Sequence, residues 1–538
     1  MKMLLALVPL LIAAAPDPAP IAPERLSAHV RTLASDPFKG RAPGTAGEAK
    51  TIEYLIGQLK AAGVQPGGPG GQWTQPVPLI RTQLGAVDAR AGAGRLEQGR
   101  DVALQSVRPA PRVSLKDLPI VFVGYGVHAP ERGWDDFKGV DLRGKMAVFL
   151  VNDPDFEATA ADDSRGKFGD RRMTYYGRWT YKYEEAARRG AAAALIVHDT
   201  PGAGYGWATA AANGGEAYDV VRADPNERVA LQGWLEGGAA GRLFAASGLD
   251  LSKVRASARR SDFRPVELKG QRFSADIPVA VTRATSYNVL GKLPGRTRPD
   301  EVVMFGAHWD GYGAGAPDGQ GRTIRPGAND DALGTAGVLE LARAFAKGPR
   351  PERSLVFALW TGEERGLLGS ETYAAKPLYP AAKTVANLTL DILNTGGPSR
   401  DVLLVGQGQN TLEDMLADAA RAQGRAVTPE TLPERGLFYR ADHFPLARQG
   451  VPTLLLMAIS GAPDLVSGGR EAGQRWLDAY MRCYHQTCDA WTPELDFTGA
   501  AQDVMLVHHV ASRLANGRDW PEWRAESEFR AVRGQSRR

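Results

Sequence analysis

The stretch that decides the fold runs from Glu301 to Tyr373. It reads EVVMFGAHWDGYG over 301–313, RPGANDDALGTAGVLELARAF over 325–345 and RSLVFALWTGEERGLLGSETY over 353–373. Apolar runs of this length, bounded by glycine, read as buried strands of an α/β sheet, whose carboxyl ends commonly carry the site. His308-Trp309-Asp310 and Glu363-Glu364 each follow such a run. Asn329-Asp330-Asp331 opens a helical pattern. A histidine and several carboxylates gathered at one sheet edge point to metal-ligand chemistry.

At 538 residues the chain is too long for one ordinary core, so two or more domains are expected. With 43% hydrophobic and 23% charged residues it reads as globular. The net charge of +4 is small and dispersed, so no nucleic-acid partner is indicated. Residues 1–15, MKMLLALVPLLIAAA, have the layout of a secretory signal peptide, and no later segment is apolar enough to span a membrane. The expectation is an exported protein, periplasmic or secreted, with no stable membrane span after signal cleavage. Cys483 and Cys488, the two cysteines of the chain, either form a disulfide closing a small loop or remain free buried thiols.

A first part of the main domain is expected over residues 22–111, with helical spacing at Leu26, Val30 and Leu33 and again at Ile52, Leu55 and Leu59. The character changes over 112–265, where short strands at 119–123, 145–151 and 193–197 alternate with glycine-rich turns. This region reads as a small inserted domain, its Asp135 and Asp136 as turn residues. The α/β pattern returns over 275–516, with further strands near 386–393, 401–405 and 452–457. A polar tail over 517–538 is expected to pack loosely.

Each polar cluster also has an ordinary explanation. His308 and Asp310 suit a polar turn, and Asn329-Asp330 suits a helix N-cap. Glu363-Glu364 suits an exposed acidic pair, although two adjacent carboxylates repel unless a cation lies near. Asp391, inside the apolar run LTLDIL, is costly to bury without a partner or metal. His485 in YHQTCD is a plausible last ligand on a loop.

Taken together, the motifs GAHWD, GANDDALG, TGEERGLLGS, LTLDIL, RADHFPLARQGVP and YHQTCD resemble the zinc-dependent aminopeptidases of metallopeptidase family 28. The resemblance implies a three-layer α/β/α fold with a mixed central sheet, and a β-rich protease-associated domain as the insert. It also implies two zinc ions about a bridging water, with manganese or cobalt as substitutes. His308 and Asp391 would hold one ion, Glu364 and His485 the other, and Asp330 would bridge them. Asp310 would orient His308, Glu363 would be the general base, and the Asp330–Asp331 peptide would be cis. Tyr439 is the candidate for contacting a tetrahedral oxyanion, with Asp442 and His443 beside it as candidate substrate contacts.

Substrates would be peptides with a free N-terminus. A glutaminyl cyclase, a carboxypeptidase, a dipeptidase or a non-catalytic receptor-like protein on the same fold are the alternatives.

Overall fold

The computed structural model describes residues 21–537; the segment read as a signal peptide lies outside them. Apart from two small two-stranded ribbons, the strands divide between two sheets that share the strand Val266–Leu293. In the first, strands follow one another in the order Glu216–Val220, Thr74–Leu84, the second half of Val266–Leu293, Arg353–Trp360, Arg298–His308, Thr384–Leu390, Thr453–Leu456, Asp401–Leu404 and Ala426–Pro429. The three strands around Arg298–His308 run parallel, and the Val266–Leu293 edge pairs antiparallel, so the sheet is mixed.

Alternation along the His308 strand fixes the layers. Val303, Phe305 and Ala307 pack with Leu26, Leu55, Leu341 and Val504 from the helices on one face. Val302 and Met304 point to the other face, against Tyr373 and Leu446. A strand buried on both faces needs the continuous apolar run that the sequence shows.

The second sheet holds Asp88–Ala91, Gly94–Leu96, Val102–Gln105, Arg112–Phe122, Met146–Leu150, Ala193–Val197, Leu231–Leu235 and the first half of Val266–Leu293. Strands from 88 to 105 therefore belong to it, upstream of the boundary expected at residue 112. The long strand Val266–Leu293 passes from one sheet into the other. Helices such as Trp179–Arg188 and Gly237–Ala246 cover this sheet, so the second body is itself α/β rather than only β-rich. Asp136 is no simple turn residue: it is buried and accepts hydrogen bonds from the Val127 N–H and the Trp134 indole.

The tail also departs from expectation. Trp523 and Phe529 are buried against Phe438, Tyr439 and Phe444, and the Trp523 indole donates to the Gly450 carbonyl at 2.8 Å. Its polar composition conceals two large anchors. Among the described residues no helix is long and apolar enough to cross a membrane.

Candidate metal centre

The site forms where the parallel strands end. His308 closes Arg298–His308, Glu363 and Glu364 follow Arg353–Trp360 in a single helical turn, and Asp391 follows Thr384–Leu390. Asp330 precedes the helix Gly334–Lys347, and the Asp330–Asp331 peptide is cis. His485 comes from the loop after Gly469–Cys483, a loop closed by a disulfide between Cys483 and Cys488.

The centre is organised around the Asp330 carboxylate. One oxygen lies 3.1 Å from His308 Nε2 and the other 3.0 Å from His485 Nε2. Glu364 stands 3.3 Å from His485 Nε2, and Asp391 4.0 Å from His308 Nε2. A tetrahedral set of zinc bonds of about 2.0–2.2 Å has donor–donor edges of about 3.3–3.6 Å, so these spacings suit a divalent cation on each side of Asp330.

Protons support the same conclusion. His308 Nδ1 is 3.1 Å from the Asp310 main-chain carbonyl, which can only accept, so Nδ1 carries the hydrogen. In a neutral ring Nε2 then presents a lone pair to a carboxylate oxygen, and only a proton or a cation between them relieves that contact. Asp310 thus orients His308 through its backbone. Its carboxylate sits 3.6 Å from Nδ1 and instead accepts the Glu363 N–H at 3.1 Å.

The electrostatics of the cluster favour a cation. Burial pushes Glu363, Glu364 and Asp331 well above the ordinary carboxylate range, and neighbouring carboxylates add to each shift. Burial lifts Asp391 to about 7, against the pull of His308, and its Oδ1 is buried without a partner. Burial also acts to raise Asp330, but its contacts with His308 and His485 outweigh it and hold that carboxyl low. Clustered buried acids of this kind are costly unless a cation joins them.

Asp331 also falls within 4.8 Å of the His308 and Asp391 donor atoms. Its oxygens accept the N–H groups of His308, Gly334 and Ile392, so it braces the site.

Two supporting residues were given no role in the sequence reading. Asp489 accepts the N–H groups of Asn329 and Asp330 at 3.0 and 3.1 Å. Arg41, fully buried, donates to the carbonyls of Trp309, Pro326 and Gly327, tying the end of the His308 strand to the approach to Asp330. The adjacency of Asp489 to the His485 loop was the one available clue.

The three candidate substrate contacts are placed differently. Tyr439 is buried, and its hydroxyl donates to Glu528 at 2.7 Å, so it is committed to the tail and not to an oxyanion. His443 is fully buried edge-on to Phe438 at 4.7 Å, and burial lowers its pKa to about 3; it is packing. Asp442 is buried behind the cluster, where Ser370 donates to it and burial raises its pKa to about 7. Tyr439 lies in a buried cluster with Phe438, Phe444, Leu455 and Met457. Beside His485 lie the rings of Tyr484, 3.6 Å away, and Tyr312, 4.5 Å away.

Comparison with known proteins agrees with this geometry. Residues 288–508 match the model described as Peptidase family M28, a segment that contains every ligand candidate named above. Leupeptin-inactivating enzyme 1 of Streptomyces exfoliatus is 30% identical over 211 residues, 39% of this chain and 44% of that protein. An aminopeptidase of Pseudomonas aeruginosa is 26% identical over 245 residues, covering 44% of this chain and 41% of the relative. The chain thus spans less than half the length of these curated relatives. The fold is shared with the aminopeptidase from Aneurinibacillus sp. strain AM-1, at 20% identity and a TM-score of 0.51, over 93% of this chain and 95% of that one. The match to the Peptidase family M28 model thus covers the strand ends and every candidate ligand, within residues 288–508.

Proposed function

We propose that the protein is an exported zinc aminopeptidase with two metal ions, releasing N-terminal residues from peptides. The observation that carries this reading is the Asp330 carboxylate held between two imidazoles, one oxygen to each. His308, Asp391 and Asp330 would hold one cation; Glu364, His485 and Asp330 the other. When bound, the cations supply Lewis acidity that activates water and polarises a carbonyl near neutral pH.

The chain's own residues do the rest. Glu363 is the proton carrier: its Oε2 lies 3.9 Å from His308 Nε2, and its backbone N–H is fixed by Asp310. Its carboxylate takes a proton from the attacking water and returns it to the departing amine nitrogen. Asp310, through its carbonyl, keeps the His308 ring in the tautomer that presents Nε2 inward. Asp331, Asp489 and Arg41 hold the Asp330 turn in place.

The test is hydrolysis of leucine p-nitroanilide beside its N-acetylated twin, with zinc and after chelation. Metal-dependent cleavage of the free amine alone is expected. Equal cleavage of both would overturn the aminopeptidase reading.

A further inference from the structure

The turn that carries Glu363 and Glu364 has a demanding backbone. Glu363–Arg365 is a single helical turn, flanked by left-handed residues at Gly362 (φ 68°), Gly366 (φ 114°) and Leu367 (φ 62°). A leucine held there costs energy and persists only where surrounding structure fixes it. The two acids do not help, since each is raised by neighbouring carboxylates that repel it.

Arg365, the last residue of the turn, supplies contacts that do. Its guanidinium carbon lies 4.9 Å from the centre of the Tyr312 ring and 4.9 Å from that of Tyr218. No carboxylate pairs with it among the described residues, so its attraction is to the two ring faces. Tyr312 follows the His308 strand and lies 4.5 Å from the His485 ring. Arg365 is thus adjacent to Glu364 along the chain and one ring away from His485.

Tyr218 comes from the second body. Between Ala193–Val197 and Leu231–Leu235, which pair in the second sheet, the chain crosses over and adds Glu216–Val220 to the edge of the first. Alternation puts Tyr218 and Val220 on one face, against the cluster of Val77, Leu79 and Leu368. Leu368 begins the helix Leu368–Ala375, directly after the turn. Beyond the strand, Arg222 and Arg228 reach Glu371 of that helix at 2.7 and 3.4 Å, and Asp219 holds both arginines at 2.9 and 3.1 Å. One strand of the second body therefore grips the turn at Arg365 and the following helix at Leu368 and Glu371.

We propose that Arg365, seated on Tyr218 and Tyr312, is a positioning residue for Glu363 and Glu364, and that the second body acts on the candidate metal centre through the strand Glu216–Val220. The roles of Glu363 and Glu364 rest on the aminopeptidase reading; the clamp itself can be read without turnover.

Three variants test it. Arg365→Met keeps a long side chain and removes the cation, and Arg365→Lys keeps the cation without the plane. Tyr218→Leu removes the ring, keeps an apolar contact for Leu368 and leaves the turn itself unaltered, which guards against an Arg365 variant that fails to fold. In Arg365→Met, kcat for leucine p-nitroanilide is expected to fall by about tenfold to a hundredfold with KM little changed. Zinc retention against a chelator should weaken by about tenfold. Arg365→Lys should fall between Arg365→Met and wild type. The double variant Arg365→Met with Tyr218→Leu should be close to Arg365→Met alone, because both changes break the same contact.

Hydrogen exchange of the full chain, with zinc and after chelation, reads the turn directly. The amides of Gly366, Leu367 and Leu368 donate back to the carbonyls of Glu363 and Gly362, and in Arg365→Met and Tyr218→Leu they should exchange faster, by about tenfold in the former. Thermal melting checks that each variant folds. Wild-type exchange in both variants, losses that add in the double variant, an Arg365→Lys no better than Arg365→Met, or a raised KM with unchanged kcat would overturn the proposal. If the wild-type chain leaves leucine p-nitroanilide uncut, the aminopeptidase reading falls and the exchange rates alone decide the clamp.

Discussion

Asp489 Oδ2 lies 3.1 Å from the amide nitrogen of Asp330 and accepts its N–H. The acid that holds Asp330 in place is thus drawn from the loop that carries His485, so the two halves of the candidate metal centre share one brace. Burial lifts Asp489 to about 7, the two N–H groups opposing that rise. Asp489→Ala should weaken zinc retention by roughly tenfold to a hundredfold, as supporting residues of metal ligands typically do. Competition with a chelator of known affinity measures it, and wild-type retention would remove Asp489 from the support of the site.

Glu363→Gln keeps the size of the side chain and removes its proton-accepting oxygen. Turnover of leucine p-nitroanilide should fall by about 10²- to 10⁴-fold while zinc content and melting temperature stay close to wild type. Unchanged turnover would strip Glu363 of the proton-carrying role.

Trp523 anchors the tail in the cluster beneath Tyr439. Trp523→Ala should cost about 3–5 kcal/mol, seen as a lowered melting temperature. Glu528→Gln, which weakens the acceptor for the Tyr439 hydroxyl, should leave turnover largely intact, because that hydroxyl faces the tail. A large loss of turnover in Glu528→Gln would return Tyr439 to the catalytic account.

His508 is stacked on Phe345 at 4.5 Å with its Nδ1 buried and unpartnered, and burial lowers its pKa to about 4. The unfolded chain takes up a proton near the ordinary value of about 6.5, and the folded one does not. The stability contributed by the neutral ring is therefore complete above about pH 6.5 and is lost as the pH falls through the folded value. Melting temperature should drop across that window, and His508→Phe should flatten part of the drop. An identical pH slope in the variant would contradict the assignment.

The strands, and the polar clusters at their ends, were legible because local rules produce them. A strand buried on both faces must be continuously apolar, and Asp391 stood out by breaking such a run. Arg41 was not legible: its partners are backbone carbonyls as much as 286 residues away, and any residue supplies a carbonyl. The tail misled because Trp523 and Phe529 sit among polar residues with no helical or strand period. Tyr439 misled for a related reason, since only the folded tail reveals that Glu528 has claimed its hydroxyl. The cysteines left both a bridge and free thiols open, and the disulfide around His485 decides between them.

The most direct test of the central claim is the zinc content of the purified chain after loading and exhaustive dialysis, by elemental analysis. A carboxylate shared between His308 and His485 predicts about two zinc ions per chain, with Asp330→Asn losing the tight binding of both. A single zinc per chain, or two held unchanged without the Asp330 carboxylate, would contradict it.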